Sequence, residues 1–138
     1  MFQSILIFIG YIHMPYKVLM FGDRNWTNIE PMIAIFTWLA KTYPDAIIIH
    51  GDANGADKMA GMIAGEIGFE VETYPAHWHH NESCPPDCKR YVGRAAGPIR
   101  NQQMIDEGQP TMAFGFHDDI KTSKGAADMF RRLRKHTI

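Results

Sequence analysis

The 138-residue chain has only two cysteines, Cys84 and Cys88, so no disulfide framework is available and a reducing, cytoplasmic setting is expected. Long apolar runs are also missing. The longest, from Ile5 to Ile12, is too short to cross a bilayer, follows no basic residue and precedes no small-residue cleavage site. Neither a membrane span nor a signal peptide is therefore expected. Excess charge of one sign is absent as well: 14 basic against 15 acidic residues leave a net charge of −1. That balance gives no general pull toward nucleic acid or an anionic membrane. Neither GxGxxG nor GxxxxGK[ST] occurs, which excludes the dinucleotide fingerprint and the P-loop.

What is present is an ordinary globular composition, 46% hydrophobic and 21% charged, in a length suited to one domain. Residues 1–13 read as an extension ahead of a natural start at Met14, with an added edge strand or an oligomer contact as the alternative. Residues 14–138 form the expected domain.

The stretch Ile47–Asp57 organises that domain. Three isoleucines suit a buried strand, His50-Gly51-Asp52-Ala53-Asn54 a turn, and Gly55-Ala56-Asp57 the opening of a helix. Such a turn can present backbone N–H groups and a helix N-terminus to an anion. Before it, Lys17–Phe21 reads as a central strand ending at Gly22-Asp23-Arg24. A helix should follow, capped by Asn28 with Pro31 in its first turn and Met32, Ile35, Phe36 and Leu39 on its apolar stripe.

Beyond the turn, a helix over 56–67 should bury Met59, Ile63 and Ile67, with Met62 adjacent, and end at Gly68. Gly61 and Gly65 would let it approach the sheet closely. Phe69–Tyr74 alternates as a half-buried strand, and 76–93 reads as a loop. A helix from Gly97 to Glu107 places Pro98 first and Gly108 at its close. A last strand spans Thr111–Phe116, and Ser123 caps a final helix with Met129, Phe130 and Leu133 on its apolar face.

Alternating strands and helices imply an α/β, Rossmann-like three-layer domain with a mainly parallel sheet and right-handed crossovers. Ligands of such folds sit at the carboxyl ends of the strands, where loops 22–26, 51–57, 75–97 and 117–125 fall.

GDR after the first strand, HGDANGAD, YPAHW, GRAAGPIRNQQM and SKGAADM occur in order over roughly residues 16–135. In these motifs the chain resembles the YspA/YpsA-related branch of the SLOG (Smf/DprA-LOG) superfamily, common in phages and bacteria. The resemblance implies a nucleotide-binding domain, commonly a homo-oligomer, that senses, sequesters or processes nucleotide-derived ligands, ADP-ribose-like molecules among them. Carried over by position, it implies ligand contacts at Gly22, Asp23 and Arg24; at Gly51, Asp52, Gly55 and Asp57; at Trp78; at Arg94, Gly97, Arg100 and Asn101; and at Ser123, Lys124 and Gly125. Asp52 stands where the family often has a second glycine, and Ala126 where it commonly has threonine.

Read on their own chemistry, Arg24 and Arg100 could clamp a diphosphate or pair with Asp23 or Asp57. Arg100→Ala is accordingly expected to abolish binding and leave the melting curve nearly intact. Asp57 suits a helix first turn and leans to a structural role. For hydrolysis of an N-glycosidic or phosphate linkage, the carboxylates available are Asp52, Glu82 and Asp128. The PGGxGTxxE motif of the LOG phosphoribohydrolases is absent, which favours a binder over an enzyme. No cofactor is required, although His77, His79, Cys84 and Cys88 could hold a structural zinc. The basic end Arg131–His136 suits a helix C-terminus, with single-stranded nucleic-acid binding a distant third reading.

Overall fold

The computed structural model describes residues 15–77, 95–119 and 122–136. The expected N-terminal extension and most of the loop over 76–93 lie outside the described residues, and with them Trp78, His79, Glu82, Cys84, Cys88 and Arg94. The elements alternate: β1 (Lys17–Gly22), α1 (Glu30–Thr42), β2 (Ile47–His50), α2 (Ala56–Ile67), β3 (Glu70–Thr73), α3 (Ala96–Asp106), β4 (Met112–Phe116) and α4 (Lys124–Lys135).

All pairings are parallel, in the order β3-β2-β1-β4. The chain builds outward from β1 to β3, then returns across the sheet to lay β4 on the other side of β1. The direction of winding therefore reverses between β1 and β4, and a crevice opens beyond their carboxyl ends.

β1 is covered on both faces, which explains its continuous apolar run. Val18 and Met20 pack with Met32, Phe36, Leu39, Ile48 and Ile63 in one layer, while Leu19 and Phe21 pack with Ile49, Met104, Ile105 and Met129 in the other. The two-residue period of the strand divides the core into these two layers.

Several local expectations change. Helix α1 has Ile29 rather than Asn28 at its N-cap; Asn28 Oδ1 instead accepts from Glu30 N at 3.2 Å, one residue early. Helix α3 starts at Ala96, placing Pro98 in the third position instead of the first. Its chain reversal falls on Gln109 (φ 51°) rather than Gly108. Gln109 Nε2 donates to Asp106 O at 2.7 Å, which ties down the turn. Gly108 meets a different demand, because a Cβ there would lie 2.2 Å from Met104 O. In α4, Phe130 is 45% exposed and buried Asp128 takes a place on the inner face.

Helix α2 buries Ala56, Asp57, Ala60, Ile63 and Ala64, whereas Met62 and Ile67 face outward. Small side chains face the sheet, so the helix can lie close to it. Its two interior glycines differ accordingly. A Cβ on Gly61 would come within 2.5 Å of His50 Nε2, whereas one on Gly65 would meet nothing within 4 Å. Gly61→Ala is expected to destabilise the domain by about 1–3 kcal/mol through overpacking. Gly65→Ala should stabilise it by about 0.5–1 kcal/mol through helix propensity. Urea denaturation of the two variants should give midpoints on opposite sides of the parent.

Candidate functional site

One backbone contact ties the first two strand-end loops together, and two more hold the first of them in place. Asp23 N donates to Phe116 O at 2.9 Å, and Asp23 O accepts from both Trp26 N and Ala56 N at 3.1 Å. Helix α2 thus places one of its unpaired N-terminal N–H groups on the loop after β1. This approach requires glycine on both sides. A Cβ at Gly55 (φ 78°) would lie 2.3 Å from Asp23 O, and one at Gly22 would lie 2.2 Å from Phe116 O.

The turn after β2 also turns its donors inward. Gly51 N donates to Asp57 Oδ2 at 2.8 Å, Asp57 takes a second N–H from Ala53, and Lys58 N reaches Ala53 O at 3.2 Å. Asp57 is 4% exposed, and burial pushes its carboxyl up to about 6 although Arg100 and the two N–H groups pull the other way. The expected anion cradle over Gly51–Gly55 is therefore occupied by the protein's own carboxylate and carbonyls. Asp52 N donates to His50 Nδ1 at 2.9 Å, and burial pushes the His50 imidazole toward its neutral form.

Asp52 adopts φ 56°, a conformation glycine enters without strain. This accounts physically for a glycine preference at the position. Asp52→Gly should raise stability by about 0.5–1 kcal/mol, the relief of left-handed strain exceeding the added chain entropy; a lowered thermal midpoint would contradict it.

Arg100 bridges two loops. Its Nη1 donates to Gly51 O and, at 3.5 Å, to Tyr74 O, and its Nε donates to Asn101 Oδ1 at 3.1 Å. Burial works against its charge, whereas nearby Asp57 and Asp52 favour it. Among the described residues it forms no direct salt bridge, and Nη2 has no acceptor there. Asn101, 5% exposed, passes the link onward by donating to Gly125 O at 3.2 Å and Asp128 Oδ2 at 3.0 Å. Asp128 also accepts from Arg131 and Arg132, each at 2.7 Å. Burial alone would raise its carboxyl, but the hydrogen bonds from Arg132 and Asn101 outweigh that and hold it below the ordinary range.

Around this scaffold lies a cleft of about 700 Å³ at the β1–β4 crevice. Gly22, Asp23, Arg24, Arg100, Ser123, Lys124 and Gly125 line it, joined by Asn25, Ala53, Pro98, His117 and Thr122. A second cavity of about 310 Å³ adjoins it through Arg24, Ala53 and Arg100, and adds Gly51 and Asp52. Gly55, Asp57, Gly97, Asn101 and Asp128 line neither; Gly55 and Asp57 lie at the start of α2, Gly97 at the start of α3 and Asn101 midway along it. A larger groove of about 830 Å³ runs between α3 and α4, outside the cluster of strand-end loops.

Ser123 caps α4, its Oγ accepting from Ala126 N at 3.3 Å, with Lys124 and Gly125 at the cleft. Arg24 and Lys124 form no side-chain hydrogen bond or ion pair among the described residues. Three cationic side chains and a helix N-terminus thus converge on one cleft, with Asp23 as its carboxylate. Motif reading missed His117. Its only sequence signal is its place directly after the last strand; that it stands opposite Asp23 comes from the register of β1 with β4.

The sheet order and the loops gathered at its switch point define a Rossmann-like α/β domain. Residues 16–81, just under half of the chain, match the sequence model of the YAcAr family, described as YspA, cpYpsA-related SLOG family, and in this segment the chain is similar to that family. The match to this family points to nucleotide-related ligand binding or processing. A search of curated proteins returned no match, and neither did a search of solved structures. Because the family match ends before α3, the roles of Arg100, His117 and Ser123–Gly125 rest on geometry. Among the described residues, no helix is long and apolar enough to cross a membrane.

Proposed function

We propose that the domain binds a nucleotide or an ADP-ribose-derived small molecule in the β1–β4 cleft, as a sensor or sequestering protein. One observation carries this reading: Arg24, Arg100 and Lys124 meet the α4 N-terminus around a cavity large enough for a nucleotide. The guanidinium groups and Lys124 suit phosphate oxygens. Pro98 and Ala53 supply apolar wall for a ring.

Hydrolysis is the second reading, and Asp52 favours it. Of the carboxylates considered from sequence, Asp128 is engaged by three donors, whereas Asp52 lines the adjoining cavity beside both arginines. Mass spectrometry of a nucleotide mixture incubated with the purified protein separates the two readings. A nucleotide depleted from solution and recovered intact on denaturation supports binding. Conversion to base plus ribose phosphate, or to a shorter phosphate chain, replaces it with hydrolysis, which Asp52→Asn should then abolish. No change in either fraction removes both.

A further inference from the structure

Asp23 and His117 face one another because of strand register. Gly22 pairs with Phe116 at the carboxyl ends of β1 and β4, so the next residue on each strand enters the crevice side by side. Asp23 Oδ2 and His117 Nε2 lie 3.9 Å apart, both on the cleft wall. That separation is too long for a direct hydrogen bond, yet an oxygen about 2.8 Å from each atom fits between them.

The hydrogen-bonding polarity of both groups is fixed by the backbone. Asp119 N donates to His117 Nδ1 at 2.9 Å, so the ring's hydrogen sits on Nε2 and points toward Asp23. Asp23 Oδ1 is occupied by Asn25 N at 2.9 Å, leaving Oδ2 as the outward acceptor. The Asp23 main chain is itself held at three points by Phe116, Trp26 and Ala56. A donor and an acceptor are thereby held about one oxygen apart, beside the cationic part of the cleft.

We propose that Asp23 and His117 form a hydroxyl-reading pair that selects the ribose of the bound nucleotide, one hydroxyl donating to Asp23 Oδ2 while accepting from His117 Nε2. The inference rests on nucleotide binding in this cleft and adds its sugar specificity. A phosphate oxygen lacks the hydrogen that Asp23 requires, and a deoxy position lacks both partners. A site built around a hydroxyl rejects the analogue without it, because its own polar groups are then left unpaired.

Calorimetric titration with ADP, 2′-deoxy-ADP, 3′-deoxy-ADP and inorganic pyrophosphate tests the pair. In the unmodified protein, one deoxy analogue is expected to bind about tenfold or more weaker than ADP, and pyrophosphate weaker still. In His117→Leu, ADP should fall to the affinity of that analogue and the discrimination should vanish; His117→Gln, which keeps a donor, should recover part of it. Equal binding of ADP and both deoxy forms overturns the hydroxyl-reading pair while leaving nucleotide binding intact. Pyrophosphate binding as tightly as ADP overturns it in favour of a plain anion site. If none of the nucleotides binds, the functional reading fails and the inference fails with it.

Discussion

Asp57→Ala is expected to destabilise the domain by about 3–5 kcal/mol. The substitution leaves the buried N–H of Gly51 without its acceptor, at about 1–3 kcal/mol, takes a partner from the half-buried Ala53 N–H, and removes a negative charge from the Arg100 environment. Asp57→Asn keeps an acceptor oxygen and should cost clearly less. The pair of variants also carries a pH signature. Asp57 has a folded pKa raised to about 6 from 3.8, so between those values the folded state holds a proton that the unfolded state has released. Stability from this group is therefore fully present below about pH 4 and is lost as pH rises through about 6, by at most about 3 kcal/mol. Denaturant unfolding at pH 4.5 and 6.5 should show that decline in the parent, superimposed on the other carboxylates, and a smaller one in Asp57→Asn. Identical pH slopes in the two proteins would mean that Asp57 is not the buried acid described.

Arg100→Ala should remove both ligand affinity and stability. From sequence, loss of binding with a nearly unchanged melting curve was the expectation; the carbonyls of Gly51 and Tyr74 alter it. Losing charge-assisted bonds to these carbonyls should cost about 2–3 kcal/mol, and losing a phosphate-facing guanidinium should weaken nucleotide binding about 100-fold or more. Arg24→Ala is the informative companion. Arg24 is exposed and has no side-chain partner among the described residues, so its loss should weaken binding while moving the thermal midpoint little. If Arg24→Ala and Arg100→Ala bind ADP as the parent does, the cations of the cleft have no part in recognition.

The architecture was legible because its signals are local. The apolar run Val18–Phe21 marks a strand covered on both faces, and Ser123 marks the start of α4 by its short side chain alone. Helix α2 was placed correctly from Ala56 to Ile67, and of its expected face Ile63 is buried and Met59 packs partly against the core, but Ile67 is exposed. Bulky Met62 and Ile67 suggested the core, whereas Ala56, Ala60 and Ala64 form the inner face because the helix lies close against the sheet. The cleft was less legible because its chemistry is non-local. That Gly55 must be glycine follows from the carbonyl of Asp23, and that Asp57 fills its own turn follows from the path of residues 51–53. His117 gains a partner only once β4 is known to lie beside β1, a pairing that spacing along the chain does not encode.

The same pairing orders the assembly of the domain. β1 finds β2 across a short crossover, with Lys17 opposite Ile47, but its other neighbour is remote: Lys17 N reaches Thr111 across 94 positions. Closing the longer loop costs roughly 1 kcal/mol more in chain entropy, so β1, β2 and the α1–α2 layer should condense first, with β4 and α4 docking last. The cleft then comes into existence only at the final folding step. A nucleotide held between Arg24 and Lys124 would span the early and late parts of the fold, acting chiefly as a brake on unfolding.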